Sequence, residues 1–346
     1  YALQYLGGGI GGIVMGYWLD RAGMMRPALL GAVMIGVGAC LTRSIENAWQ
    51  LYAIYGLMFG LAGRATLFSP LMVNISRWFD GRRGMAVGIV GSGQAVAGAM
   101  WPAVFQWGIE SIGWRDTAFA YGIFVLLTMI PVSLVFVRKS PPIADAALNA
   151  NNPTLASTID PTRFTAALCI AIIGCCTAMS LPLAHLMSHA SDVGHSSLDG
   201  ARLLSVMLIC AAFSSMVVLG QLVRKFGALR SLMVFSATQA VTLGLFPLAD
   251  SLTGLYVVAA LFGFGYGGVL PSYPIIVREN IGAQGAGART GLVVFFGTIG
   301  MALGSGLGGL SYDLSQSYTP AFYAGVMLNA ANIGVLALLW RATRRI

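Results

Sequence analysis

The chain has 346 residues, of which 57% are hydrophobic and 9% are charged, and its mean hydropathy is +0.78. A soluble globular protein carries about 25% Asp, Glu, Lys and Arg, so this composition excludes a water-soluble domain and a disordered chain. The net charge of +8 does not indicate a nucleic-acid binder, because the arginines are spread over many loops rather than clustered. The composition predicts a polytopic membrane protein.

Eleven apolar stretches are long enough to cross a bilayer as helices, which need about 20 residues and satisfy their backbone polar groups internally. In chain order they are 1–19, 27–42, 49–77, 84–109, 116–137, 163–188, 200–223, 228–249, 252–278, 286–311 and 320–341. Many of the 45 glycines lie inside these stretches, where small residues let helices approach closely. The sequence therefore predicts an all-α membrane protein.

The basic residues of the chain are concentrated in alternate loops. Sixteen of the 20 lie in one set of loops, and Arg43, Arg115 and Arg202 lie in the other set. The remaining one, Arg64, lies within a predicted helix. Because Lys and Arg are in excess in cytoplasmic loops, we expect a multi-pass protein of the cell membrane whose C-terminus is cytoplasmic.

Residues 138–162 form the longest connection between predicted helices and are rich in Pro, Asn, Ala and Thr. This composition is typical of a flexible linker, here on the cytoplasmic side. The linker separates five predicted helices from six. We therefore expect an N-terminal bundle over 1–137 and a C-terminal bundle over 163–346.

Two landmarks recur in these bundles at the same offset of 204 residues. Gly16 begins GYWLDRAGMMRP and Gly220 begins GQLVRKFGALRS, while Pro70 and Pro274 each precede a cytoplasmic turn and a Gly-rich helix. The shared offset favours an internal duplication over coincidence. Repeats related by an axis along the membrane normal are typical of secondary transporters, whose substrate site lies between the repeats near the midplane.

The segment GYWLDRAGMMRP resembles the signature G-x-L-[AS]-D-R-x-G-[RK]-[RK] of the major facilitator superfamily. Gly16, Leu19, Asp20, Arg21 and Gly23 match it, and two methionines replace the basic pair. The runs SPLMVNISRWFDGRRGMAVGIVGSG and GWRDTAF are similar to the monocarboxylate transporter branch and its oxalate–formate relatives. The resemblance implies two pseudo-symmetric six-helix bundles, with eleven of the twelve helices in this chain and the first helix of the family preceding it.

The resemblance implies a gating role for Asp20 and Arg21, with Arg82 and Arg83 as companions. Asp20 lies at a predicted cytoplasmic helix end, where the second bundle is expected to present a helix N-terminus near 286–290. A helix N-terminus stabilises a carboxylate through its free N–H groups and its dipole. In the family this contact latches the outward-open state. The alternative for the three arginines is that they only follow the charge bias of cytoplasmic loops.

Arg64 lies about halfway along the predicted helix 49–77. A cation at that depth costs at least about 2.5–3.5 kcal/mol, so it should face the bundle interior or a watery cavity. The corresponding helix lines the cavity in the superfamily, and Arg64 resembles a clamp that binds a carboxylate with two hydrogen bonds. The alternative is a structural arginine bound to backbone carbonyls freed near Gly63 or Pro70.

Five further residues are candidates for substrate contacts. His185 is one, because a histidine could carry a proton or contact a substrate. The other four combine apolar bodies or aromatic rings with polar tips at two-turn spacing: Gln94 and Trp101, Tyr266 and Tyr273. The alternative for each of them is helix packing. Three histidines in HLMSHASDVGH have spacing that could hold a metal, but such an outer-loop cluster is more often solvated, so no metal site is predicted.

These features predict a secondary active transporter of a small organic anion, by the resemblance a monocarboxylate, that works by alternating access. Ala212 and Met216 stand where the monocarboxylate branch carries an Asp and an Arg, so a coupling proton is left open as a second partner. We expect a monomer in a lipid bilayer, with no cofactor, no nucleic-acid partner and no enzymatic activity. The alternatives are an exporter of an amphipathic or aromatic compound, and a non-transporting membrane receptor or sensor.

Overall fold

The computed structural model describes residues 2–67, 69–79, 82–135, 160–282 and 285–344. Its long helices, numbered here in chain order, are α1 Ala2–Ala22, α2 Met25–Thr42, α3 Ala48–Trp78, α4 Arg83–Ile112, α5 Trp114–Val135, α6 Pro161–Asp192, α7 Leu198–Phe226, α8 Ala228–Leu248, α9 Leu252–Ile281, α10 Ala286–Ser315 and α11 Thr319–Arg344. The described residues contain no strand. Each predicted apolar stretch coincides with one helix, which confirms the all-α fold.

Nine of these helices are long and apolar enough to cross a membrane, counted over the described residues. The other two, α1 and α4, have 21 and 30 residues and correspond to the predicted stretches 1–19 and 84–109. Most of the predicted linker 138–162 lies outside the described residues. The division into bundles 1–137 and 163–346 stays a prediction.

The described residues fall into two compact units. The first unit takes its residues from Tyr1–Asp80, Met100–Pro153 and Ile281–Phe295, and the second from Gly81–Ala99, Thr154–Asn280 and Phe296–Ile346. The start of α10 therefore belongs to the first unit, although it comes from the second half of the sequence. Likewise, the start of α4 belongs to the second unit.

In the first unit, α3 contains an eleven-residue π-helical segment, Ile54–Arg64, in which hydrogen bonds join residues five apart. The segment packs closely against α1 through glycines. A Cβ at position 7 would lie 2.3 Å from Gly56 O, and a Cβ at position 60 would lie 2.8 Å from Gln4 O. Such a wide segment is rare and is often found at functional sites.

A second glycine seam in the same unit joins α1 to the start of α10. A Cβ at position 16 would lie 2.3 Å from Gly287 O, and a Cβ at position 291 would lie 2.4 Å from Gly12 O. Both helices thus carry glycines four residues apart along their contact, which is the pattern that lets membrane helices approach most closely.

The second unit repeats this packing where the start of α4 meets α7. A Cβ at position 220 would lie 2.9 Å from Met85 Cα, and a Cβ at position 88 would lie 2.0 Å from Ser215 O. Ser215 Oγ donates a hydrogen bond to Gly88 O at 2.9 Å. Position 220 is the counterpart of Gly16 in the predicted duplication, and both glycines lie in such a seam.

A polar network holds α6, α8 and α11 together inside the second unit. Asn329 Nδ2 donates to Ser236 O at 3.0 Å and to Gln239 Oε1 at 3.3 Å. Asn332 Nδ2 donates to Ser236 Oγ at 3.1 Å, and Gln239 Nε2 donates to Cys175 O at 3.4 Å. Leaving these buried polar groups without hydrogen bonds would cost free energy. The network therefore fixes how the three helices align.

The seam between α1 and α10 predicts that alanine substitutions at two nearby glycines differ in their effect on stability. Gly16→Ala places a methyl group against the backbone of α10, so the free energy of unfolding should fall by about 1–3 kcal/mol, as for overpacking. Gly12→Ala is the matched control, because a Cβ there meets nothing within 4 Å. Its change should stay within about 0.5 kcal/mol. Equal effects in denaturant titrations of the two variants would contradict the seam.

Candidate functional site

Asp20, near the end of α1, caps the first turn of α10. Its Oδ1 accepts a hydrogen bond from Gly287 N–H at 3.3 Å, and its Oδ2 accepts one from Ala288 N–H at 3.3 Å. The residue just before α10 is Gly285, at φ +71°, which has no side chain to cap its own helix. Asp20 therefore supplies from another helix the carboxylate that both the free amides and the helix dipole favour.

Arg77, near the end of α3, forms the second half of this arrangement. Its Nη2 makes an ion pair with Asp20 Oδ1, and the two side chains are only 5% and 13% exposed. The resemblance to the superfamily signature predicts Asp20 at this site, whereas Arg77 is one of the sixteen basic residues in the set of loops predicted to be cytoplasmic. Removal of Asp20 would leave a buried guanidinium without its carboxylate, so the pair and the cap depend on each other.

The other predicted gating residues differ in their exposure and surroundings. Arg21 is exposed, and its guanidinium lies 4.2 Å from the centre of the Tyr17 ring. Arg82 is exposed at the start of α4, and the half-buried Arg83 lines a cleft in the second unit. Gating by Arg21, Arg82 and Arg83 stays a prediction.

Glu279 is a further charged residue that contacts a helix start, and none of the sequence patterns predicts it. It lies near the end of α9, and its Oε2 accepts a hydrogen bond from Ala228 N–H at 3.2 Å, at the start of α8. The residue before α8 is Gly227, which again has no side chain for capping. A glycine immediately before a predicted helix is the sequence feature that indicates such a contact. It cannot accept the first free amides of the helix, so a carboxylate from another helix can accept them.

Arg64 is the last residue of the π-helical segment of α3 and is half-buried. A Cβ at position 8 would lie 3.1 Å from Arg64 Cδ and 3.5 Å from Arg64 Cγ. The aliphatic stem of Arg64 thus lies on the bare backbone of α1 at Gly8. Contact with Gly8 therefore fixes the position of the Arg64 side chain within the first unit.

The predicted pair on α4 divides between the two units. Gln94 is exposed and belongs to the second unit, whereas Trp101 is half-buried in the first. Trp101 packs within an aromatic cluster, with ring centroids 5.0 Å from Tyr121, 5.8 Å from Phe105 and 5.8 Å from Phe124. This cluster presents a large apolar surface with the polar tips of Trp and Tyr.

The remaining candidates all belong to the second unit. His185 Nε2 is 2.9 Å from Ser305 O, and its ring stacks on Tyr318 with centroids 5.0 Å apart. Tyr273 is fully buried, with its hydroxyl 3.4 Å from Cys175 Sγ, and Tyr266 is 8% exposed. No group of three or more metal-binding side chains occurs among the described residues.

Mutation of Asp20 should lower the free energy of unfolding much more than mutation of an exposed carboxylate. Asp20→Ala removes the carboxylate that accepts two backbone amides and leaves the buried guanidinium of Arg77 without its partner. The free energy of unfolding should therefore fall by about 3 kcal/mol. Asp116→Ala is the matched control, because Asp116 pairs with Arg43 at 3.0 Å while both side chains are about half exposed. Its loss should be at most about 1 kcal/mol.

A second variant separates the charge from the cap in the same unfolding titrations. Arg77→Met added to Asp20→Ala should recover stability, since no unpaired charge then remains buried. Losses of equal size for Asp20→Ala and Asp116→Ala would contradict this account of the site.

Comparison with known proteins places the chain in a family. Residues 1–305 match the Major Facilitator Superfamily, and an overlapping match covers 166–345. The chain is 29% identical to monocarboxylate transporter 13 of Rattus norvegicus, over 98% of this chain and 77% of the rat protein. It is 24% identical to the MFS-type transporter pynF of Aspergillus niger, over 97% of this chain and 77% of that protein.

Solved structures agree with this assignment. The human organic anion transporter MFSD10 (TETRAN) aligns with a TM-score of 0.76, over 97% of this chain and 81% of that chain. The Escherichia coli fucose:proton symporter FucP aligns with a TM-score of 0.71, over 97% and 88%. Both are 14% identical to this chain and show the fold alone. The predicted resemblance is thus confirmed: the chain belongs to the Major Facilitator Superfamily of multi-pass membrane transporters and is related to its monocarboxylate transporters.

Proposed function

We propose that the chain is a secondary active transporter of a small organic anion, a monocarboxylate, that moves its substrate by alternating access. The observation that carries the proposal is Arg64, a permanent positive charge halfway along a membrane helix. An arginine at that depth costs several kcal/mol unless it lies in a polar environment. Its planar guanidinium binds a carboxylate through two parallel hydrogen bonds.

The local structure of α3 supports a functional role for Arg64. The π-helical segment that ends at this residue is unusual in its length, and such segments are often found at functional sites. Contact with Gly8 holds the aliphatic part of the Arg64 side chain in place, so the side chain would lose less conformational entropy when it binds a substrate. The name of the rat relative, monocarboxylate transporter 13, supports a carboxylate as the bound group.

The contact of Asp20 with α10 supports a gate in this transporter. In its closed form, two amide hydrogen bonds to Asp20 join helices from the two halves of the sequence, and an ion pair with Arg77 of the first half holds the carboxylate there. Cytoplasmic opening would break these interactions and expose the start of α10 to water. We assign the main gating role to Asp20, with Arg21, Arg82 and Arg83 as charges whose removal would shift the balance between states.

The other candidates contribute unequally to the proposal. The accessible Gln94 and the half-buried Trp101 stay proposed substrate contacts. His185 stays a proposed contact and a candidate to carry a coupling proton, because its half-buried imidazole can both accept and donate a proton. The burial of Tyr266 and Tyr273 supports the packing alternative for both.

Arg64 gives the decisive test of the proposed substrate class. A panel of monocarboxylates, dicarboxylates, neutral and cationic compounds is added to the purified chain, and the thermal unfolding midpoint is measured for each. A ligand that binds the folded state raises this midpoint with concentration. A monocarboxylate should stabilise the wild type, whereas Arg64→Gln should lose at least about tenfold in apparent affinity.

Two controls keep the result interpretable. Arg26→Gln removes an exposed arginine at the start of α2 and should respond like the wild type. Arg64→Lys keeps the charge but loses the paired donors, so its affinity should lie between those of the wild type and Arg64→Gln. A monocarboxylate that stabilises wild type and Arg64→Gln alike would overturn the clamp.

The alternatives predict different outcomes of the same panel and of flux assays in proteoliposomes. An exporter of aromatic or amphipathic compounds would be stabilised by such compounds, and the aromatic cluster around Trp101 is the observation that favours it. A receptor or sensor would bind its ligand without any flux. Anion flux that requires Arg64 would exclude both alternatives.

A further inference from the structure

Five helix ends of the second unit meet around one open cleft of about 330 Å³. Helices α4 and α8 begin there, at Arg83 and Ala228, and α7 ends there at Phe226. Near its end, α9 contributes Arg278, and α11 contributes Trp340. Because every wall is a helix end, the cleft lies at the boundary between the membrane and water.

The lining of this cleft is strongly cationic. Arg83, Arg230 and Arg278 line it together with a single carboxylate, that of Glu279. The carboxylate accepts the first amide of α8 at 3.2 Å, so one of its oxygens is occupied by that helix end. Three positive charges therefore face one negative charge, and the excess favours an anionic ligand.

The same cleft also carries apolar and aromatic groups. Phe226, which is 40% exposed, Leu229 and Trp340 belong to its lining. The guanidinium of Arg230 lies 4.6 Å from the centre of the Trp340 ring, a cation–π contact that places the charge beside an apolar wall. Such a lining suits a ligand with an anionic head next to an apolar part.

We propose that this cleft binds a phosphate group, with Arg83, Arg230 and Arg278 as its ligands. Arginines form paired hydrogen bonds with phosphate oxygens, and a cluster of them is a typical phosphate site. Two sources share this chemistry, the phosphate of an anionic phospholipid and that of a soluble organic phosphate. The charge bias of the loops predicts a cytoplasmic location, where anionic lipids attract basic surfaces. The proposal is independent of Arg64 and of the transported substrate.

Phosphatidylglycerol in neutral phosphatidylcholine nanodiscs tests the lipid source, and glycerol 3-phosphate in solution tests the soluble source. The thermal unfolding midpoint of the purified chain is measured as each probe is titrated. Phosphatidylglycerol should raise the midpoint of the wild type relative to phosphatidylcholine alone. The double variant Arg230→Gln with Arg278→Gln should weaken the apparent affinity by about tenfold or more.

The matched control is Arg224→Gln with Lys225→Gln. Both residues are exposed at the same end of the unit, and neither lines the cleft. The control removes the same charge and should keep the full response. A response to both probes supports a site open to either source, and a response to phosphatidylglycerol alone supports a lipid site. Equal losses in the two double variants, or no response of the wild type to either probe, would overturn the proposal.

Glu279→Gln keeps the test informative if the arginine variants fail to fold. The substitution preserves the size and the hydrogen-bond acceptor but removes the only negative charge of the cleft. Phosphate affinity should therefore increase, by about threefold or more. Tighter binding cannot result from misfolding, and unchanged or weaker binding in Glu279→Gln would overturn the proposal.

Discussion

The first unit depends on a cap that comes from another helix, because α10 begins without a capping side chain of its own. Gly285 stands where Ser, Thr, Asp or Asn ordinarily accepts the first free amides of a helix. Asp20 accepts them instead, and it reaches them because α1 and α10 touch backbone to backbone at Gly16 and Gly287. A larger residue in this seam would hold the carboxylate out of reach, so packing and electrostatics depend on the same glycines.

The two segments of the predicted duplication, GYWLDRAGMMRP and GQLVRKFGALRS, share the glycine packing of this contact but differ in its chemistry. In the second unit, α4 and α7 meet through glycines at Gly84, Gly88 and Gly220. The residue four positions after Gly220 is Arg224, where the first half carries Asp20. A guanidinium has no acceptor for backbone amides, so Arg224 cannot cap a helix N-terminus. The two halves therefore share a way of bringing helices together but not a way of holding them.

Much of this architecture could be predicted from the sequence, because a run of about 20 apolar residues has few alternatives to a spanning helix. Asp20 could be selected because it lies in the segment GYWLDRAGMMRP that resembles the superfamily signature, at a predicted helix end. Arg77 could not, because it is one of many basic residues near helix ends and only the fold brings it to Asp20. The π-helical segment before Arg64 could not be predicted either, because its hydrogen bonding depends on packing against α1 and has no residue pattern of its own.

The cap supplied by Asp20 also makes the start of α10 sensitive to the state of the molecule. While the carboxylate is in place, the amides of Gly287 and Ala288 are hydrogen-bonded and shielded. If it withdrew, these amides would face solvent with no acceptor in their own helix, and the first turn of α10 would fray. The exchange of these two amide protons with deuterium would therefore report, residue by residue, how often this end of the protein opens.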